Sequence, residues 1–388
     1  MDKKAKQNIA MKIGIDVSKT VESKDGISNY IRNLVKNLAE IDKTNEYVLY
    51  PFFTHIFLPG YEKAYCPENK NFKLRFKDWP ESLARYLWLK SSTNKELLLG
   101  KIDVLHSTCW EAFEYHYGKL IVTIHDTSFL THPQFHVPSN IALANNGCLN
   151  AVKYADKIIA VSENTKKDTV KYFSCDPEKI EVVYLGADER FRVYNKIEIN
   201  AVLSKYNINK KYIFNVGSIE PRKNLIGLFN AYNSLPDNLK EEYDLIITGS
   251  CGWLNSEIYG TVKNLGLQNK IRFTGSVPDE DLPYLYNGAT IFVYPSFYEG
   301  FGLPVLEAMQ CGCPVITSNN SSLPEVAGDA ALFINPDVVN DIKNGMEKSL
   351  MDEGLRKELS IKGLNRARKF SWEKCARETL EIYENLAK

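Results

Sequence analysis

A chain of 388 residues is too long for one ordinary hydrophobic core, and its length predicts two domains, or three. With 44% hydrophobic and 25% charged residues, its composition is that of a soluble globular protein. Lys plus Arg and Asp plus Glu both number 48, so no global charge excess speaks for a nucleic-acid partner. The eight cysteines form no pair of CxxC elements and no His/Cys ligand spacing. Unpaired thiols in a reducing cytoplasm, and no metal, are the expectation. Cys311 and Cys313, where a helix gives way to a strand, read as small packing residues. The N-terminal MDKKAKQNIA has no apolar h-region, and no later run reaches the roughly 18 apolar residues of a membrane span. The sequence therefore predicts a cytoplasmic protein that meets a membrane, if at all, from its inner face.

In chain order, MKIGIDV (11–17) alternates apolar residues as a first buried strand, followed by a loop with Gly26 and an amphipathic helix over 27–39. EYVLYPFF (46–53) and FKLRF (72–76) are further strands. IDVLHST (102–108), LIVTIHD (120–126) and KIIAVSE (157–163) are short apolar runs ending in polar residues, as parallel strands deliver side chains to the carboxyl edge of a sheet. Around 186–200 the pattern turns polar and aperiodic, which predicts a domain boundary near 190. A second series then begins: strands at 211–218, 243–249, 271–275, 290–295, 314–318 and 331–336, with helices at 224–233, 256–265, 280–287 and 304–310. Helices over 338–351 and 353–370 follow, and a last segment carries Trp372, Ala376, Leu380 and Tyr383 on one stripe. The fold class is α/β: two doubly wound domains, 1–190 and 191–370, whose carboxyl edges face each other across a cleft.

The richest stretch is YPSFYEGFGLPVLEAMQCGCPVITS (294–318). Glu299 and Glu307 flank a helix start marked by Gly300, Gly302 and Pro304. Pro suits the first helical position, glycines let a backbone approach a ligand, and free N–H groups with the positive dipole end suit a diphosphate. Arg222 and Lys223, in VGSIEPRKN behind Gly217 and Ser218, stand at the end of the second domain's first strand. A guanidinium fork and an ammonium there can offset charge building on a leaving diphosphate. With these bases nearby, Glu299 and Glu307 are both expected to stay ionised, as acceptors of hydrogen bonds rather than proton donors. His125 ends a first-domain strand, where it can bind a sugar hydroxyl. Ser162 with Glu163 reads first as a helix N-cap. No nucleophile elbow, P-loop, HExxH or GxGxxG accompanies these residues, which argues against a serine hydrolase, an NTPase, a zinc protease and a dehydrogenase.

Glu299, seven intervening residues and Glu307 inside YEGFGLPVLEAMQCGCPVITS, preceded by VGSIEPRKN and FTGSV, resemble the retaining GT-B glycosyltransferases of family 4 over nearly the whole chain. The HD, PRKN and YEGFGLPVLEA set is most similar to the bacterial branch that builds O-antigen and capsule from GDP-mannose. The resemblance implies that Glu299 binds donor-sugar hydroxyls, Glu307 the ribose, and Arg222 with Lys223 the diphosphate. It implies backbone contacts to the donor from Gly300, Phe301, Gly302 and Leu303, from Gly217 and Ser218, and from Gly26. Val277 would lie beside the base, and His125 near the reacting carbon. Retention without metal or cofactor, a nucleotide-sugar donor, a glycan or lipid-linked acceptor, and a final helix (371–388) crossing back to the first domain are further implications.

Asp25 stands where many relatives carry a second glycine. A carboxylate beside a diphosphate is unfavourable, so Asp25 points away or the loop closes differently. The basic, aromatic segment 71–90 fits either a helix covering the sheet or a patch resting on an anionic membrane. Three activities are compatible with the residues: a transferase using GDP-mannose or a UDP-sugar, an epimerase or hydrolase of nucleotide sugars, and a silent sugar-nucleotide-binding subunit.

Overall fold

A computed structural model describes residues 10–21, 25–51, 63–75, 95–252 and 254–387. Most of the 71–90 segment therefore lies outside the described residues. Two parallel sheets organise the rest, each in its own compact body. The first body holds the residues up to Leu130, Pro138–Tyr184 and Trp372 onward; the second holds Thr131–Val137 and Leu185–Ser371.

The first sheet has seven strands: β1 (Lys12–Asp16), β2 (Glu46–Tyr50), β3 (Phe72–Leu74), β4 (Val104–Ser107), β5 (Lys119–Ile124), β6 (Lys157–Ala160) and β7 (Ile180–Val182). Their order is β3-β2-β1-β4-β5-β6-β7. The second has six: β8 (Lys211–Val216), β9 (Tyr243–Thr248), β10 (Ile271–Gly275), β11 (Ile291–Tyr294), β12 (Val315–Ser318) and β13 (Ala331–Ile334), in the order β10-β9-β8-β11-β12-β13. Both are doubly wound sheets, as the sequence predicts. Strand direction of winding reverses between β1 and β4 in one and between β8 and β11 in the other, and ligands of such sheets bind outside the carboxyl ends at that switch point. Parallel strands are covered on both faces, which is why β5 and β8 are buried at every position after the first.

Several elements escape the sequence pattern, among them helix Pro138–Tyr154, β7 and helix Lys196–Lys205. β7 is three residues long with Glu181 exposed, too short to show a period. The stretch 186–200 does not stay irregular to its end, because Asn195 and Glu198 form a reciprocal capping box that starts helix Lys196–Lys205. That helix buries only Val202, so it has almost no apolar stripe to read.

The last helix, Trp372–Leu386, packs in the first body on helix Gly26–Ile41. Its buried stripe is Trp372, Cys375, Ala376, Thr379 and Tyr383. A polar relay fixes it: the Tyr383 hydroxyl meets His106 Nδ1 at 2.6 Å, His106 Nε2 meets the Thr123 hydroxyl at 2.8 Å, and the Tyr30 hydroxyl meets Thr123 at 3.0 Å. The eight cysteines are all free thiols, Cys311 and Cys313 among the buried ones.

Burial holds the His106 imidazole neutral, pushing it down from its ordinary value of 6.5 to about 3. The unfolded chain then binds a proton that the folded chain refuses between those values, so stability from this group is full above 6.5 and is lost on acidification. Urea unfolding at pH 7, 6 and 5 should show this group costing about 1.4 kcal/mol per pH unit once the unfolded histidine is protonated. His106→Gln should flatten the profile, and equal slopes for both proteins would refute the assignment.

Candidate active site

At the switch point of the second sheet, the ends of β8 and β11 bring four charged side chains into contact. After β8 the chain turns through a short 3-10 turn, Pro221–Lys223, which presents Arg222 and Lys223 together. After β11 it forms the loop Pro295–Gly302 carrying Glu299. Arg222 Nη1 donates to Glu299 Oε2 at 2.9 Å and to the Tyr298 carbonyl at 2.8 Å, while Nη2 donates to Glu220 Oε1 at 2.7 Å. Lys223 Nζ donates to Glu299 Oε1 and meets the Tyr294 hydroxyl, both at 2.7 Å. The same hydroxyl donates to Glu299 Oε1 at 2.9 Å.

The group is almost closed to solvent: Glu220, Lys223 and Glu299 are 2%, 8% and 7% exposed. Burial alone would raise the Glu299 carboxyl, but Arg222 and Lys223 outweigh it and hold it at about 2. Burial also pushes the Lys223 ammonium down, and Arg222 adds to that push. Two carboxylates and two cations therefore make a locally neutral cluster.

Glu299 sits on a loop whose position is set by its neighbours. Phe297 N donates to the Arg222 carbonyl at 3.0 Å, and Glu299 N donates to Ser321 Oγ at 3.1 Å. The loop after β12 holds it from the other side: Ser318 Oγ donates to the Ser296 carbonyl, Asn320 to the Phe297 carbonyl, and Ser322 Oγ to the carbonyls of Glu299 and Phe301. Gly302 then adopts φ +110°, and a Cβ there would lie 2.8 Å from Leu323 Cδ2. Glycine is required on both counts. Helix Leu303–Gln310 starts directly after it, with Pro304 in its first turn.

Glu307 lies on that helix with a different set of neighbours. Its Oε2 accepts from the Tyr286 hydroxyl at 2.9 Å. Burial pushes its carboxyl up to about 7, and the Tyr286 hydrogen bond and the Arg190 charge pull it back only in part. Glu299 stays ionised as expected, whereas Glu307, with no cation in hydrogen-bond contact among the described residues to offset its desolvation, is poised between its charged and neutral forms near pH 7.

Other predicted residues fall at the same carboxyl edge. Gly217 has φ +148°, and a Cβ there would lie 3.4 Å from Lys223 Cε. Ser218 follows it, partly buried, and Val277 is partly buried in the loop after β10. Gly300, Phe301 and Leu303 line the path from Glu299 into the helix; Phe301 is buried and packs edge-on against Phe370 at 5.9 Å. Among the described residues, no three His, Cys, Asp or Glu side chains gather as a metal centre would require.

In the first body, His125 follows β5. Its Nε2 lies 2.8 Å from the Thr108 carbonyl, which can only accept, so Nε2 carries the proton and Nδ1 the lone pair. Burial lowers its pKa, and Tyr30 packs edge-on at 5.0 Å. Asp25 caps helix Gly26–Ile41, its carboxylate accepting from Ser28 N at 2.8 Å. Of the two options the sequence leaves for Asp25, the carboxylate is thus turned onto its own helix end. A Cβ at Gly26 would meet nothing within 4 Å. Ser162 is the N-cap its sequence suggests, accepting from Thr165 N.

Residues 24–191 match the model of Glycosyltransferase Family 4, and residues 198–366 that of Glycosyl transferases group 1. The O-antigen chain mannosyltransferase B of Escherichia coli is 38% identical over 269 residues, which cover 69% of this chain and 71% of that protein. This chain belongs to glycosyltransferase family 4. The family 4 chain is also 36% identical over 236 residues to the serotype-specific mannosyltransferase WbdA of E. coli, covering 60% of its own length but 29% of WbdA. Among solved structures, HepE of Anabaena, crystallised with UDP and glucose, superposes with a TM-score of 0.73 at 16% identity, covering 97% of this chain and all of that one. That likeness carries the GT-B fold.

In this glycosyltransferase, sequence reasoning missed Tyr294, Tyr286 and the serines of the loop after β12. A tyrosine closing an apolar strand looks like core, and hydroxyls that bond to backbone carbonyls follow no motif. Removing one partner of a buried ion group strands the others. Arg222→Ala should therefore lower unfolding stability by about 3–5 kcal/mol. A urea titration showing a loss indistinguishable from that of an exposed arginine would contradict the cluster.

Proposed function

We propose that this glycosyltransferase moves mannose from GDP-mannose, with retention and without a metal, onto a glycan or lipid-linked acceptor in cell-surface polysaccharide synthesis. The observation that carries the reading is the Glu299–Arg222–Lys223 cluster at the switch point of the second sheet. The relatives named as mannosyltransferases support mannose as the sugar, and the O-antigen chain mannosyltransferase B supports a polysaccharide as the context.

In this reading the second domain (191–370) is the donor domain. Arg222 and Lys223 face the diphosphate and offset charge as it leaves. Glu299, ionised and held from behind by both cations, accepts hydrogen bonds from donor-sugar hydroxyls. Glu307 accepts from the ribose, Val277 lies beside the base, and the backbone of Gly217, Ser218, Gly300, Phe301, Gly302 and Leu303 approaches the phosphates. The first domain (1–190, with the last helix) is the acceptor side. There Gly26 approaches the donor, and His125 offers Nδ1 to a sugar hydroxyl because Nε2–H is committed to Thr108. The bond from the anomeric carbon to the diphosphate's bridging oxygen breaks as the acceptor oxygen bonds to the same face, and the acceptor proton goes to the departing phosphate oxygen.

Calorimetry against GDP, UDP and ADP tests the base: GDP should bind most tightly, and preference for UDP would move the reading to a UDP-sugar. Transfer from labelled GDP-mannose to a lipid extract should fall by about 10²–10³-fold in Glu299→Ala and Arg222→Ala, the range for losing one fixed electrostatic partner of a transition state. Full activity in both variants would refute the site, and release of free mannose without acceptor would identify a hydrolase.

Glu307 gives a separate pH signature. Its carboxyl takes a proton near pH 7 and then has fewer lone pairs for ribose hydroxyls. GDP affinity should weaken as pH falls through 7, and Glu307→Gln should bind weakly with a flat profile. An unchanged slope in that variant would assign the titration to another group.

A further inference from the structure

We propose that the segment Thr131–Val137 is a positioning element for the donor-sugar residue: its His132 and Phe135 rings hold the loop Phe297–Glu299 and through it the Glu299–Arg222 pair. The inference rests on Glu299 as a donor-sugar contact. The segment belongs to the same compact body as that loop.

Its local structure is built for the task. Pro133 opens a 3-10 turn, Pro133–Phe135, closed by Phe135 N donating to the His132 carbonyl at 3.1 Å and His136 N to the Pro133 carbonyl at 3.1 Å. Three residues per turn places side chains i and i+3 one above the other. His132 and Phe135 accordingly stack, with ring centroids 5.8 Å apart and planes 8° from parallel. Phe135 stacks in turn on Phe297 at 5.0 Å and 18°, and His132 lies 5.6 Å from Tyr298.

Phe297 and Tyr298 are the two residues immediately before Glu299. Their backbones are the ones that bond Arg222: Phe297 N donates to its carbonyl, and the Tyr298 carbonyl accepts from its guanidinium. The side chains of this dipeptide are thus gripped by the segment while its main chain grips Arg222. Phe135 and Phe297 remain partly exposed and stand outside the apolar core of the second sheet, whose packing needs neither ring. Releasing them frees the main chain that aims Glu299 and Arg222, and leaves Glu307, held by Tyr286, in place.

The test compares the full chain with Phe135→Ala, His132→Ala and Phe135→Tyr. Phe135→Ala should lower kcat with GDP-mannose about tenfold, the factor that ~1.4 kcal/mol of transition-state energy carries. GDP affinity should fall less than kcat, since Glu307 keeps its place on Tyr286, and amide exchange in peptides covering 297–302 should speed up. His132→Ala should act in the same direction, and Phe135→Tyr, which keeps the ring, should restore both readouts. Unchanged kcat in Phe135→Ala, or parallel loss of GDP affinity and thermal stability that Phe135→Tyr does not rescue, would overturn the inference. If the wild-type chain turned over no nucleotide sugar, the functional reading would fail by itself. Exchange at 297–302 would then still decide the positioning role, being faster in Phe135→Ala if it holds and unchanged if it does not.

Discussion

The neutral knot of Glu220, Arg222, Lys223 and Glu299 is the constraint around which the second body is arranged. Four charges taken out of water are tolerable only if each is matched, and here each cation meets a carboxylate at 2.7–2.9 Å. The matching joins elements far apart in sequence. The turn after β8 supplies one carboxylate and both cations, the loop after β11 supplies the other carboxylate, and the Tyr294 hydroxyl closes the gap between them. Because the group is neutral as a whole, its cations can be turned toward an anion only while their carboxylates remain at hand to balance them. In the proposed reading, the carboxylates are thus as much a part of diphosphate recognition as the basic residues.

The two glutamates of the EGFGLPVLE stretch show how little spacing says about charge state. Both are nearly buried, yet one is held at about 2 and the other pushed up to about 7. Spacing along the chain cannot reveal this, because the difference is made by partners from elsewhere: Arg222 and Lys223 for Glu299, a neutral tyrosine for Glu307. Within one short stretch, one carboxylate is a fixed charge and the other a group poised near neutrality.

What was legible in the sequence follows the same division. Apolar runs such as LIVTIHD and YDLIITG are read easily because a parallel strand must be apolar on both faces, and the doubly wound order follows from alternating such runs with helices. PRKN and Glu299 stand out as charge just past the carboxyl end of an apolar strand, and Glu307 by its spacing from Glu299. Three kinds of feature stay hidden. β7 is too short to show a period. Helix Lys196–Lys205 barely touches the core. Tyr294, Ser318, Ser322 and the Thr131–Val137 segment act through contacts that only folding creates, and their residue types are common in cores and loops alike.

The relay from Tyr383 to His106 bears on how the chain is made. Partners 277 residues apart mean that, at about 5–20 residues per second of synthesis, the β4 histidine waits for its hydroxyl partner for roughly 14–55 s. Over that interval the first sheet is translated while the helix that covers helix Gly26–Ile41 has yet to emerge. The N-terminal body is therefore begun before the second and completed after it, and a ribosome stalled in the second body leaves helix Gly26–Ile41 without the helix that covers it.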